Sequence, residues 1–129
     1  MGENSNSFAL QETITSLLNK SNLSAEDIDL ILLSPCGNSQ DKKLLEVKQN
    51  LFATTPVYTA NFNTGFVETS AMSLTICTCL QTLAENKPLK MKPCKNDLLD
   101  KIPLPQNPKK ILAFTSSHVG NNTAILIER

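Results

Sequence analysis

From Asn61 to Asn86 the chain runs NFNTGFVETSAMSLTICTCLQTLAEN, and most of this stretch reads as one helix whose side chains leave almost no polar face. Ala71, Met72, Leu74, Ile76, Cys77, Cys79, Leu80, Leu83 and Ala84 fall all round a helical wheel, so the helix needs cover on nearly every side. Ser70, Ser73, Thr75 and Thr78 do not make a wet stripe, because each hydroxyl can bond a backbone carbonyl one turn earlier. The run is short for a membrane span and is broken by hydroxyls, which points to a central helix of a folded domain. A chain of 129 residues can bury one side of it. What covers the other side is the question the sequence poses.

The rest of the chain has the composition of an ordinary globular domain, with 40% apolar and 19% charged residues, and one compact core is expected. Twelve basic residues balance twelve acidic ones, so no overall field draws the chain to nucleic acid or to an anionic membrane. The lysines at Lys87, Lys90, Lys92 and Lys95 are separated by Pro88 and Pro93 and read as a solvated loop. MGENSNS at the N-terminus has neither a basic nor an apolar region of the kind a secretory signal needs, so the expected compartment is the cytoplasm.

Residues 1–7 read as a frayed tail and 8–129 as a single domain. Phe8, Leu10, Ile14, Leu17 and Leu18 mark an amphipathic helix to Lys20. Ser24 and Asp27 form the S-x-x-D pattern of a capped helical turn, after which Ile28 to Leu33 reads as a buried strand. Asp41 is placed to cap a second helix from Lys42 to Phe52, with Leu44, Leu45, Val47, Lys48 and Leu51 on its inner side and edges. Val57 to Ala60 is a short strand leading into the central helix. Pro88, Pro93, Pro103, Pro105 and Pro108 then forbid long regular elements. Lys110 to Ser116 and Thr123 to Glu128 read as a terminal antiparallel hairpin. The order helix, strand, helix, strand, buried helix, strand, strand predicts an α/β fold, a mixed sheet of about four to five strands with helices on its faces.

Chemistry-bearing residues are sparse. Cys77 and Cys79 are one residue apart on a helix, which points their thiols in different directions and suits neither a redox pair nor zinc. Cys36 follows a strand, where a nucleophile can be presented, but the one histidine, His118, is far off in sequence. The amides of Asn61, Asn63, Asn121 and Asn122 suit turns or a pocket mouth. No glycine-rich phosphate loop or metal cluster is present, and no cofactor is expected.

LSAEDIDLILLS at the head of this element order and a glycine-containing hairpin at its tail resemble the C-terminal half of β-ketoacyl-acyl-carrier-protein synthases, in the thiolase-like superfamily. The likeness covers almost the whole chain. In that family a helix and a leucine, serine or proline, acid, aspartate, isoleucine, aspartate run lead into a strand ending in an HGTGT loop. An Asp and a Glu open the next helix, as Asp41 and Glu46 do here. A strand, a lysine, a glycine-histidine pair opening a buried helix, a proline-rich traverse and a strand pair around GFGGTNA follow. The matching segments here are Val57 to Ala60, Asn61, Gly65-Phe66, the proline segment, and Ser117 to Ala124. The implied fold is a thiolase-like half-fold with a buried central helix, in which two similar halves pack their central helices against each other.

At the catalytic positions the chain departs from the family. Pro35 and Cys36 stand where the first histidine is expected, Asn61 where the lysine is expected, and Phe66 where the second histidine would donate to the thioester carbonyl. Phenylalanine has no proton to give, and losing such a donor typically costs about a hundredfold or more in rate. The family's nucleophilic cysteine belongs to the N-terminal half, which this sequence does not contain. The resemblance therefore implies a non-catalytic module of fatty-acid or polyketide-type biosynthesis, like a chain-length-factor subunit. Such a subunit pairs with a ketosynthase or ketosynthase-like half-unit, a second copy included. Two alternatives stand beside it. Cys36, Asn61, Phe66, His118 and Asn121 are the candidate pocket residues, and one alternative is an acyltransferase or condensing enzyme completed in trans by another chain or run by Cys36 or His118 here. The other is a module binding acyl chains or acyl-carrier protein through the lysine segment.

Overall fold

A computed structural model of the chain describes residues 3–33, 40–59, 68–89, 103–116 and 122–129, with side chains described over 8–33, 42–59, 75–89, 103–115 and 122–129. The helices are α1 (Glu3–Lys20), α2 (Gln40–Leu51) and α3 (Glu68–Ala84), and a short 3₁₀ turn spans Ala25–Asp27. The strands are β1 (Leu30–Leu32), β2 (Val57–Tyr58), β3 (Lys110–Ser116) and β4 (Asn122–Glu128). They form one mixed sheet in the order β2-β1-β3-β4. β2, β1 and β3 run parallel and β4 is antiparallel to β3, with Leu112 opposite Leu126 and Ala113 opposite Ile125. The α/β class, the mixed sheet and the terminal strand pair agree with the sequence pattern.

Alternation along the strands splits the core in two, because successive strand residues point to opposite faces. Ile31, Leu33, Leu112 and Phe114 face α1 and α2, where they meet Leu10, Ile14, Leu18, Leu44, Val47 and Phe52. Leu30, Leu32, Ile111 and Ala113 face the other way and meet Cys79 and Leu83 of α3, with Tyr58 and Leu89 beside them. The sheet is thus sandwiched between two helices and one.

Helix ends differ from the apolar pattern for local reasons. α1 starts at Glu3 and not at Phe8, because Glu3-Asn-Ser-Asn-Ser7 holds no apolar residue from which a periodicity can be read. α2 starts at Gln40, so Asp41 lies one residue inside the helix and not at its cap. α1 and α3 finish alike. Asn22 and Asn86 each adopt φ of 58°, and the next amide donates back five residues, Leu23 to the Leu18 carbonyl at 2.9 Å and Lys87 to that of Thr82 at 3.1 Å. Asparagine is among the few residues that accept this left-handed cap without a glycine. Between α1 and β1 the expected S-x-x-D turn is present: Asp27 Oδ2 accepts from the Ser24 amide at 2.8 Å and from its hydroxyl at 3.2 Å.

The central helix is covered differently from the expectation of cover on nearly all sides. Thr75, Cys79 and Leu83, spaced four apart, are buried against the sheet, whereas Cys77, Gln81 and Ala84 are exposed and Ile76 and Leu80 are half-covered. A helix lying on a sheet buries one stripe, and among the described residues no second layer lies over the outer one.

Candidate functional site

Three adjacent parallel strands set where the candidate residues leave the sheet. The chain runs out of β1 at Leu33 and out of β2 at Thr59, level with each other through the register Leu32 opposite Tyr58, while β3, whose Ala113 lies opposite Leu32, runs on to Ser116. All three lie at the carboxyl end of the parallel strands, the edge at which open α/β sheets generally hold ligands. Pro35 and Cys36 follow β1, Asn61 and Phe66 follow β2, and His118 and Asn121 follow β3. These six residues lie outside the described residues, as do Asn63, Lys90, Lys92, Lys95, and the glycines Gly65 and Gly120.

Among the described residues, β2 and α3 carry buried polar side chains. Tyr58 and Thr59 at the end of β2 and Thr75 on the sheet side of α3 are all buried. Burial pushes the Tyr58 phenol up, with a further upward push from Cys79 beside it. Burial likewise pushes the Cys79 thiol up to about 11, against a small opposing pull from Arg129. A thiol held protonated in this way is no nucleophile at neutral pH, so Cys79 acts as a small apolar side chain. A signal for these residues existed in the sequence, since Tyr58 and Thr59 end a β-branched run just before the segment of interest. Nothing there said which hydroxyl would turn inward.

The opposite end of the sheet is tied by backbone. The carboxylate Oδ2 of Asp29 accepts from the amides of Lys109 at 3.0 Å and Lys110 at 3.1 Å, joining the start of β3 to β1. Arg129 donates through its amide to the Lys109 carbonyl at 2.8 Å and through Nη1 to Asn107 Oδ1 at 3.2 Å and the Pro108 carbonyl at 3.0 Å. On α2 a lysine is folded inward: Lys48 Nζ donates to the Ala53 carbonyl at 3.2 Å, closing the helix end, and burial lowers the pKa of its ammonium. These are structural ties. Lys87, the one described member of the lysine segment, is exposed and sits 3.3 Å from Glu85 Oε2.

Among the described residues no group of three or more His, Cys, Asp or Glu side chains is gathered to hold a metal ion. No helix among them is long and apolar enough to cross a membrane. No family model matches the chain, and no curated protein is a significant match to it.

Proposed function

We propose that this chain is a non-catalytic β-ketoacyl synthase-like module that lays the outer side of α3 against a ketosynthase or ketosynthase-like half-unit. The observation that carries the reading is α3 itself. It is a helix apolar all round, yet among the described residues it is the one helix on its face of the sheet, with Cys77, Gln81 and Ala84 exposed and Ile76 and Leu80 half-covered. A helix of this composition is stable when both sides are covered, and the thiolase-like arrangement supplies the second side from another half. The order α-β-α-β-α-β-β, with β4 antiparallel at the edge, is compatible with that arrangement. Asn61 and Phe66 at the family's lysine and histidine positions argue for a partner that shapes a pocket and leaves the chemistry to the other subunit.

The test is to mix the purified chain with each purified β-ketoacyl synthase of the same organism and measure solution mass by light scattering. Alongside, release of carbon dioxide from a malonyl thioester is followed for the chain alone. The reading expects a stoichiometric complex that is lost on Cys77→Arg, which adds a charge to the outer side of α3, and no release by the chain alone. Acyl transfer or decarboxylation by the chain alone that disappears in Cys36→Ala or His118→Ala would replace the reading with an enzymatic one.

A further inference from the structure

We propose that the free edge of β4 and the groove between it and α1 form a second interface, occupied by another copy of this chain so that two β4 strands pair antiparallel and join the sheets. Among the described residues no strand pairs with the outer side of β4. The direction of its backbone groups follows from the ladder. The Arg129 amide donates to the Lys109 carbonyl, and Lys110 turns to β1, with its carbonyl accepting from the Asp29 amide. Odd-numbered residues of β4 therefore bond β3, and Ala124, Leu126 and Glu128 aim their N–H and C=O groups outward. An edge of this kind is a template for another strand, and natural sheets usually blunt it.

The occupant is a second copy because the residues around the edge complement themselves. A two-fold axis normal to the sheet at Ile125 puts Ala124 opposite Leu126 of the second copy, both with outward backbone groups. It also sets the two Ile125 side chains against each other at a non-hydrogen-bonded position, where cross-strand side chains are closest. Ile125 is 41% exposed, and with Phe8 at 63% it makes up the exposed large apolar side chains among the described residues. Phe8 lies one turn before Glu12 on the helical stripe beside the groove.

The groove itself is lined by Ala9, Glu12, Thr13, Ser16, Leu17 and Lys20 of α1, with Ala124 across from them. Its lining mixes small and apolar residues with one acidic and one basic side chain. A two-fold axis normal to the sheet sets the two α1 helices antiparallel, and with Ser16 near that axis Glu12 of each would face Lys20 of the other. A contact that repeats itself in this manner is an isologous interface and closes at two copies. It leaves the outer side of α3 open, so it is separate from the pairing proposed above.

The experiment is light scattering of the purified chain over a range of concentrations, with circular dichroism to check each variant's fold. The wild-type chain is expected to dimerise. Ala124→Pro removes an outward donor and no β3 bond, and is expected to give a folded monomer. Glu12→Lys sets like charges together and is expected to weaken the dimer by tenfold or more, while Glu12→Lys combined with Lys20→Glu restores it. A monomer at all concentrations would overturn the proposal. So would a dimer that ignores both Glu12→Lys and the proline. A dimer broken only by Cys77→Arg would overturn it too, while leaving the α3 reading standing.

Discussion

On one face of the sheet α1 and α2 together bury Ile31, Leu33, Leu112 and Phe114, and the rings of Phe52 and Phe114 stack at 6.4 Å between centroids. On the other face α3 is the one described helix over Leu30, Leu32, Ile111 and Ala113, with Leu89 and Leu104 beside it, and the outer strand's Ile125 is left 41% exposed. The faces are built from the same strands, with equally apolar residues alternating between them. What separates them is how many helices the connections deliver to each side. Local sequence therefore sets the apolar content of a face but not how many helices come to cover it.

Thiol chemistry reads this difference most sharply, because α3 carries one cysteine on each side. Treatment with iodoacetamide at pH 8 is expected to alkylate the exposed Cys77 and to spare Cys79, which is buried and, with a pKa of about 11, about one part in a thousand thiolate at that pH. Fragment-ion mass spectrometry distinguishes the two sites. Equal labelling would mean that α3 does not rest on the sheet by its Cys79 stripe, and protection of Cys77 in a complex would map the partner.

Core truncations compare the two layers in energy. Phe114→Ala removes a fully buried ring from the two-helix face and is expected to cost about 3–5 kcal/mol in urea unfolding. Leu83→Ala on the α3 face is expected to cost about 2–3 kcal/mol, since a single open layer collapses more readily round the lost volume. A larger loss at Leu83 than at Phe114 would reverse the comparison and make the α3 face the chief source of stability.

Smaller effects come from the ties at the sheet's ends. Asp29→Ala leaves the Lys109 and Lys110 amides without their acceptor, and because these groups are exposed the expected cost is about 1 kcal/mol by the same measurement. The weakest prediction concerns Asp27. The Ser24 amide, the Ser24 hydroxyl and, less strongly, Lys110 hold its carboxyl below the usual 3.8. The unfolded chain therefore binds this proton more readily, and the stabilisation is present above 3.8 and lost as pH falls through the lower folded value. Asp27→Asn should flatten the unfolding midpoint over that acid range and leave its slope at neutral pH unchanged. An unaltered acid limb would remove Asp27 from the account.

How much was legible beforehand varied with the kind of signal. Periodicity gave the inner residues of α1 and α2, since Leu10, Ile14, Leu44 and Val47 repeat at helical spacing and are buried. Local chemistry gave the Ser24–Asp27 turn and the strand pair at the end of the chain. Lys48 was marked for the inner side of α2, but its bond to the Ala53 carbonyl depends on how the chain turns after Phe52. The inward turn of the Tyr58 and Thr75 side chains had no readable signature, for a hydroxyl in an apolar run points in or out according to its neighbours. The candidate residues Cys36, Asn61, Phe66, His118 and Asn121 were chosen by position in a motif order, and the structure adds that the strands before them end side by side at one edge.

Sequence by itself determined the elements, because helical and strand periods, turn residues and apolar runs act over a few neighbouring residues. It also determined that α3 is apolar on every side. Tertiary structure alone decided which stripe of α3 is buried, that β1 lies between β2 and β3, and that β4 is the last strand of the sheet among the described residues. Those outcomes depend on pairing residues some eighty positions apart, such as Asp29 with Lys110, and the free energy of such contacts exists only once the chain has closed between them.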